Sequence, residues 1–231
     1  NAVEKNGANA LIIALSYSHF ETALLLIEGG ISVNNPNQNK LTPLMISSSK
    51  GNFELTDMLI EKGAKVNVMD KNGKTALMYA TAEGNTNIVK LLLREKSRLD
   101  FRDRFGMTAW MHAVENKNIP VIEFLSKKEI DNNENLFYAV SNGHYEAVKI
   151  LLKLQANPEA RDEQGWTLLM LAANNGHKKI VEHLIKSGAK INHINELNKN
   201  KPGWTPLMLA AGGGHLEIVK ILVKASSQLL Q

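Results

Sequence analysis

The sequence predicts an all-α solenoid of stacked helix-turn-helix units, with short β-hairpin fingers projecting between them. Three observations carry this. One apolar hexad recurs seven times: NALIIA from Asn9, TPLMIS from Thr42, TALMYA from Thr75, TAWMHA from Thr108, ENLFYA from Glu134, TLLMLA from Thr167 and TPLMLA from Thr205. Turn signals such as Gly51-Asn52, Gly84-Asn85 and Gly176-His177 come next, and then a second apolar stretch such as Ile88 to Leu93 or Ala147 to Leu152. Before the next hexad lie segments such as Gly63-Ala64-Lys65-Val66-Asn67 and Asp70-Lys71-Asn72-Gly73. The first glycine suits a left-handed helix cap, and Asp-x-x-Gly suits the tip of a turn or hairpin.

Each predicted helix is about ten residues, below the roughly 12–15 residues at which an isolated helix becomes stable in water. Packing must therefore hold it. Leu44, Leu77, Trp110, Leu136, Leu169 and Leu207 recur in phase in the first helices, and Leu59, Leu92, Leu125, Leu151, Leu184 and Leu222 in the second. Neighbouring units bury these side chains against one another, so a continuous core forms by stacking.

Composition narrows the function classes. At 44% hydrophobic and 22% charged, with a mean hydropathy of −0.20, the chain has enough apolar residues for a core and no run long enough to span a bilayer. The net charge of +4 is small for 231 residues, so no nucleic-acid partner is expected. Zero cysteines exclude disulfides and thiolate metal sites but leave the compartment open, with the cytosol as the default and secretion still possible.

The complete pattern, in phase across essentially the whole chain, closely resembles the ankyrin repeat. The resemblance implies antiparallel helix pairs, projecting fingers, and non-catalytic binding of another protein on the concave side formed by fingers and first helices. The repeats fall approximately at 4–36, 37–69, 70–102, 103–128, 129–161, 162–199 and 200–231. Spacings between hexads run 33, 33, 33, 26, 33 and 38. The short step predicts a missing finger near 127–134, and with it a notch or altered twist. The long step predicts an extended finger near 193–203.

Two departures from the family pattern stand out. Where the family usually has His in TPLH, this chain has Met45, Met78, Met111, Met170 and Met208, which predicts that apolar packing replaces local hydrogen bonding. Lys96, Glu129 and Gln155 stand where Gly30, Gly63 and Gly188 stand in other units. Residues 1–7 align with the finger at 67–73, so the sequence is expected to continue upstream, and the module is expected to be monomeric within a longer chain.

No catalytic signature is present: there is no GxSxG, no phosphate-binding loop of the Walker type and no HExxH. No cofactor is expected. His19, His144, His177 and His215 occupy turns in different units, which favours a structural role over convergence on a metal. Asp70, Asp103 and Asp162 recur because turns prefer Asp.

Candidate partner-binding residues follow from the concave side that the resemblance implies. The segment Phe101 to Met107 holds two of the chain's five arginines and two aromatics, residue types enriched at interface hot spots. From it come Arg102, Arg104, Phe105 and Met107. Tyr79, His112 and Tyr138 occupy one equivalent position in three successive units and extend that patch, while Trp166 and Trp204, each in a GWT triplet, are further candidates. The leading expectation is a protein-binding module. The competing one is a structural spacer or scaffold segment of a larger multidomain signalling or channel protein.

Overall fold

The computed structural model describes residues 9–128, 132–195 and 203–228. These residues form fourteen helices in seven pairs. The chain divides at Leu125/Ser126 into two compact units. In the first unit the pairs are α1 (Ala10–Ser16) with α2 (Phe20–Glu28), α3 (Pro43–Lys50) with α4 (Phe53–Glu61), α5 (Ala76–Ala82) with α6 (Thr86–Arg94), and α7 (Ala109–Glu115) with α8 (Ile119–Ser126). The second contains α9 (Asn132–Ser141) with α10 (Tyr145–Lys153), α11 (Leu168–Asn174) with α12 (Lys178–Lys186), and α13 (Pro206–Gly212) with α14 (Leu216–Gln228). Within each unit, first helices pack on first helices and second on second.

The Thr that opens five of the hexads is an N-cap, and Asn9 caps α1. Thr42, Thr75, Thr108, Thr167 and Thr205 accept hydrogen bonds from the backbone N–H of Met45, Met78, Met111, Met170 and Met208. Each bond satisfies a donor that the first turn leaves without an intrahelical partner. Two methionines also return the favour: the sulfurs of Met45 and Met170 accept the N–H of Thr42 at 3.4 Å and of Thr167 at 3.5 Å. The thioether thus keeps a local hydrogen-bonding role as well as packing, which corrects the purely apolar expectation. Met45, Met78, Met111 and Met170 are buried, whereas Met208 is 52% exposed.

Eleven of the twelve in-phase core positions are at most 1% exposed; Leu207 is half-buried, and Leu209 and Ala210 take the inward places in α13. Neighbouring pairs are also joined by polar staples. Asn118 Nδ2 donates to Thr81 O at 2.9 Å and Ala82 O at 2.7 Å, and Asn85 Nδ2 donates to Ser48 O at 2.8 Å. His177 Nε2 meets Ser141 O at 3.1 Å, and His215 Nε2 meets Asn174 O at 2.9 Å. A carbonyl only accepts, so both imidazoles are donors there. Each staple satisfies a carbonyl at the end of the preceding first helix. Gly176, at φ 75°, is needed twice over: a Cβ there would stand 2.7 Å from the His215 ring.

Lys96 and Gln155 take the left-handed cap conformation, at φ 61° and 65°, that glycine takes at Gly30, Gly63 and Gly188. Glu129 lies outside the described residues, as do residues 1–7, part of the stretch at 127–134 and most of that at 193–203, including 196–202.

Leu92→Ala and Leu151→Ala, one in each unit, are each expected to cost about 2–5 kcal/mol, read as a fall in urea midpoint. Lys96→Gly and Gln155→Gly should each raise stability by about 0.5–1 kcal/mol, because the left-handed strain removed exceeds glycine's added chain entropy.

Candidate functional site

Each finger is numbered here after the helix pair it precedes. In finger four, Asp103 N–H donates to Met107 O at 3.0 Å and Gly106 N–H to Asp103 O at 2.9 Å. The Asp103 carboxylate closes the same turn, with Oδ1 accepting from Phe105 N–H at 2.8 Å and Met107 N–H at 3.0 Å. This four-bond frame recurs on Asn37 in finger two, Asp70 in finger three and, in the second unit, Asp162 in finger six. A five-residue loop closed by its own side chain leaves little room for a ladder. Among the described residues one isolated antiparallel bridge forms, Arg161 with Thr167, so the fingers are tight turns rather than extended hairpins.

The second carboxylate oxygen reaches down to the following first helix. Tyr79 Oη donates to Asp70 Oδ2 at 2.8 Å, and His112 Nε2 lies 2.9 Å from Asp103 Oδ2. Burial, and after it the bond to Asp70, raises the Tyr79 pKa and keeps the phenol protonated as a donor. Burial also lowers the His112 pKa, against the upward pull of Asp103 and together with the downward push of Lys74, so the neutral ring donates through Nε2–H. At Asp103, burial alone would raise the pKa; the N–H groups of Met107 and Phe105, with His112, outweigh it and hold the group below its ordinary value. Tyr79 and His112 are therefore placed as finger supports: His112 is 6% exposed and Tyr79 half-buried under the Lys74 ammonium, 5.9 Å from its ring centroid.

Fingers two to four are joined edge to edge. Lys71 N–H donates to Asn39 O at 3.0 Å and Arg104 N–H to Asn72 O at 2.8 Å. Gly73 permits the approach, since a Cβ there would lie 3.1 Å from Asp103 Cα. At the finger bases, Asn34 bridges Gly63 O and Lys65 N–H, and Asn67 bridges Lys96 O and Arg98 N–H, all at 2.9–3.0 Å. Between the fingers lies an open hollow of about 540 Å³ lined by Asn39, Leu41, Asp70, Lys71, Asn72, Tyr79 and Arg104.

Of the sequence candidates, Arg104 reaches this hollow, its Nη1 3.3 Å from Asn72 Oδ1. Phe105 is 76% exposed at the tip, Arg102 donates through Nη1 to Gly106 O at 3.0 Å, and Met107 is half-buried at the finger base. Phe101 is half-buried, with the Arg98 guanidinium 4.6 Å over its ring. In the second unit, Tyr138 stacks on His144 with ring centroids 6.0 Å apart; Trp166 is half-buried and Trp204 is 52% exposed. The lysines of the second helices, from Lys90 to Lys224, are exposed, as expected of a solvated face. Sequence reasoning missed the hollow's Asn39, Leu41, Lys71 and Asn72. It also missed that Asp70–Tyr79 and Asp103–His112 share a spacing of nine residues, a signal that was available.

With Asp103 and His112 both depressed, the folded state binds fewer protons than the unfolded chain, so stability must fall with acid. The His112 part is complete above its unfolded value near ~6.5 and is lost as pH drops below it; the Asp103 part is lost below about 4. Urea unfolding at stepped pH is expected to show both losses, and His112→Phe to abolish the first. The variant should also cost about 1–3 kcal/mol at pH 7, because Asp103 Oδ2 loses its donor.

Family comparison agrees with this architecture. A model described as ankyrin repeats (three copies) matches residues 1–70, 46–135 and 136–230. Among curated relatives, the chain is 46% identical over 69 residues to glycerophosphocholine phosphodiesterase gde1 of Schizosaccharomyces pombe, covering 29% of this chain and 6% of that protein. It is 44% identical over 54 residues to human protein phosphatase 1 regulatory subunit 27, covering 23% and 35%. Rat oxysterol-binding protein-related protein 1 matches at 36% over 73 residues, covering 27% and 8%. The chain thus spans a minor part of each of these relatives. The solved ankyrin repeat domain of Bcl-3 superposes with a TM-score of 0.76 at 24% identity, over 94% of this chain and all of that one, a likeness of fold. The frames, capped hexads and stapled turns are those of a repeat family, and this chain belongs to the ankyrin repeat proteins.

Proposed function

We propose that the chain is a non-catalytic protein-protein interaction module that docks a partner protein on the face formed by its fingers and first helices. The observation that carries this reading is Phe105. Its side chain is 76% exposed at the tip of a turn held by four internal hydrogen bonds and by a fifth from Arg104 N–H to finger three. The frame is complete without that ring, so folding gives no reason for a large apolar side chain there. A solvent-facing aromatic on a rigid turn, next to Arg104, loses little conformational freedom on binding, and aromatic and Arg side chains are enriched at interface hot spots. Trp204 and Met208, each 52% exposed, offer a second apolar contact in the second unit.

A spacer or scaffold role within a longer protein is the alternative. What favours it is that the chain matches only 6% of the phosphodiesterase gde1 and 8% of the oxysterol-binding relative. Under this reading the finger tips would be interchangeable with any polar residue.

Affinity capture from native lysate with the wild-type chain, Phe105→Ala and Arg104→Glu separates the two. On the docking reading, one set of proteins is retained by the wild type and weakened by about 2 kcal/mol in each variant, while thermal melting is unchanged. Equal capture by all three would move the site away from finger four.

A further inference from the structure

The frame of each finger is made by backbone groups and one Asx side chain, so the tip residue is not chosen by the turn. In the first unit the residues directly after the Asx are Gln38, Lys71 and Arg104, and Lys40, Lys74 and Arg102 stand near them in the sequence. The carboxylates within these fingers do not offset that charge at the surface. Asp70 and Asp103 are 7% and 6% exposed, and each spends its oxygens on two backbone N–H groups and a phenol or imidazole. Glu83 and Glu115 lie at the far ends of α5 and α7, about 10 Å along the helix from the fingers. In finger six of the second unit the places of Arg102 and Arg104 hold Arg161 and Glu163, whose charges offset one another. The cationic surface is therefore a property of fingers two to four and not of the motif.

The hollow among these fingers is also rich in donors. Its backbone carbonyls at Asn39 and Asn72 accept from Lys71 and Arg104 N–H, and its one carboxylate, Asp70, already accepts three hydrogen bonds. What faces outward is the Lys71 ammonium and the Arg104 guanidinium, the latter oriented by Asn72 Oδ1. Leu41 and the Tyr79 ring supply an apolar wall. A carboxylate on a short aliphatic stem matches this arrangement: the planar guanidinium takes its two oxygens, and the wall takes the methylenes.

We propose that this hollow recognises an acidic residue, seating an Asp or Glu side chain of an extended partner segment at Lys71 and Arg104, while a neighbouring apolar residue of that segment lies on Phe105. The proposal rests on the reading that a protein docks at the fingers, and gives that protein its chemistry. A duplex or membrane surface would call on many dispersed cations, whereas here a few surround one hollow beside an exposed aromatic.

The test is selection of random short peptides displayed on phage against the immobilised full chain, and in parallel against Lys71→Glu/Arg104→Glu and Phe105→Ala. Wild type is expected to enrich peptides with Asp or Glu next to an aromatic or aliphatic residue, bound more weakly as salt rises. The double reversal should lose those peptides by at least about tenfold and enrich Lys- or Arg-bearing ones, since like charges then face each other. Circular dichroism melts identical to wild type would exclude unfolding at these exposed tips. Enrichment without acidic bias, or acidic peptides kept by the double reversal, would overturn the proposal. If such neutral peptides are lost with Phe105→Ala, docking at the fingers still stands and only its acidic chemistry falls. Retention of phosphatidylserine vesicles or duplex DNA in place of any peptide would remove both.

Discussion

Everything in this chain depends on the fact that a helix of seven to ten residues, the length of every described helix but α14, cannot satisfy itself. Such a helix leaves four N–H groups and four carbonyls without intrahelical partners, about as many as it pairs. A capping Thr settles part of the deficit at the start of five first helices, and Asn9 does so at α1. At the other end the carbonyls of one unit are met by Asn85, Asn118, His177 or His215 of the next. Apolar stacking supplies most of the driving force, but these bonds fix the register, because a unit displaced by one position would leave buried carbonyls unpaired. The fingers inherit that register: once the helices are fixed, Lys71 and Arg104 meet the preceding finger's carbonyls without further adjustment.

Much of the fold was legible in the sequence because it is periodic. The hexads from Thr42, Thr75, Thr108, Thr167 and Thr205 announce the first helices, the leucines announce the core, and the Asp-x-x-Gly segments announce the turns. What was not legible is the direction in which polar side chains turn. His112 and Tyr79 read as surface aromatics at an equivalent concave position, and each points instead to a finger carboxylate, where burying the ring and satisfying the acid are achieved together. Met45 and Met170 read as packing and also accept hydrogen bonds. The hollow was invisible because its lining comes from three fingers and one helix, each contributing residues with no motif of their own.

The division of labour within a finger explains how one scaffold can present different chemistry. Oδ1 of the Asx residue holds the turn, and in fingers three and four Oδ2 ties the turn to a helix. Neither oxygen is left for a partner. On the proposed reading, recognition would fall to side chains that the turn does not use, such as those of Lys71, Arg104 and Phe105, which stand on turns already held by their own hydrogen bonds. Preorganisation of this kind limits the entropy lost on association and places the cost of rigidity in the folding step.

The contact between Gly176 and the His215 ring has a consequence for how such a chain can change over time. The glycine is demanded by its left-handed turn, and it is also demanded by a side chain that belongs to the following unit, 2.7 Å from where a Cβ would sit. Part of the rule for one unit is thus written in its neighbour. The long 38-residue step falls inside this pairing, and glycine and histidine still meet across it, because the added residues lie between α12 and α13. Chain length between the helix pairs is therefore free to drift, whereas the turn glycine and the side chain seated on it can change only together.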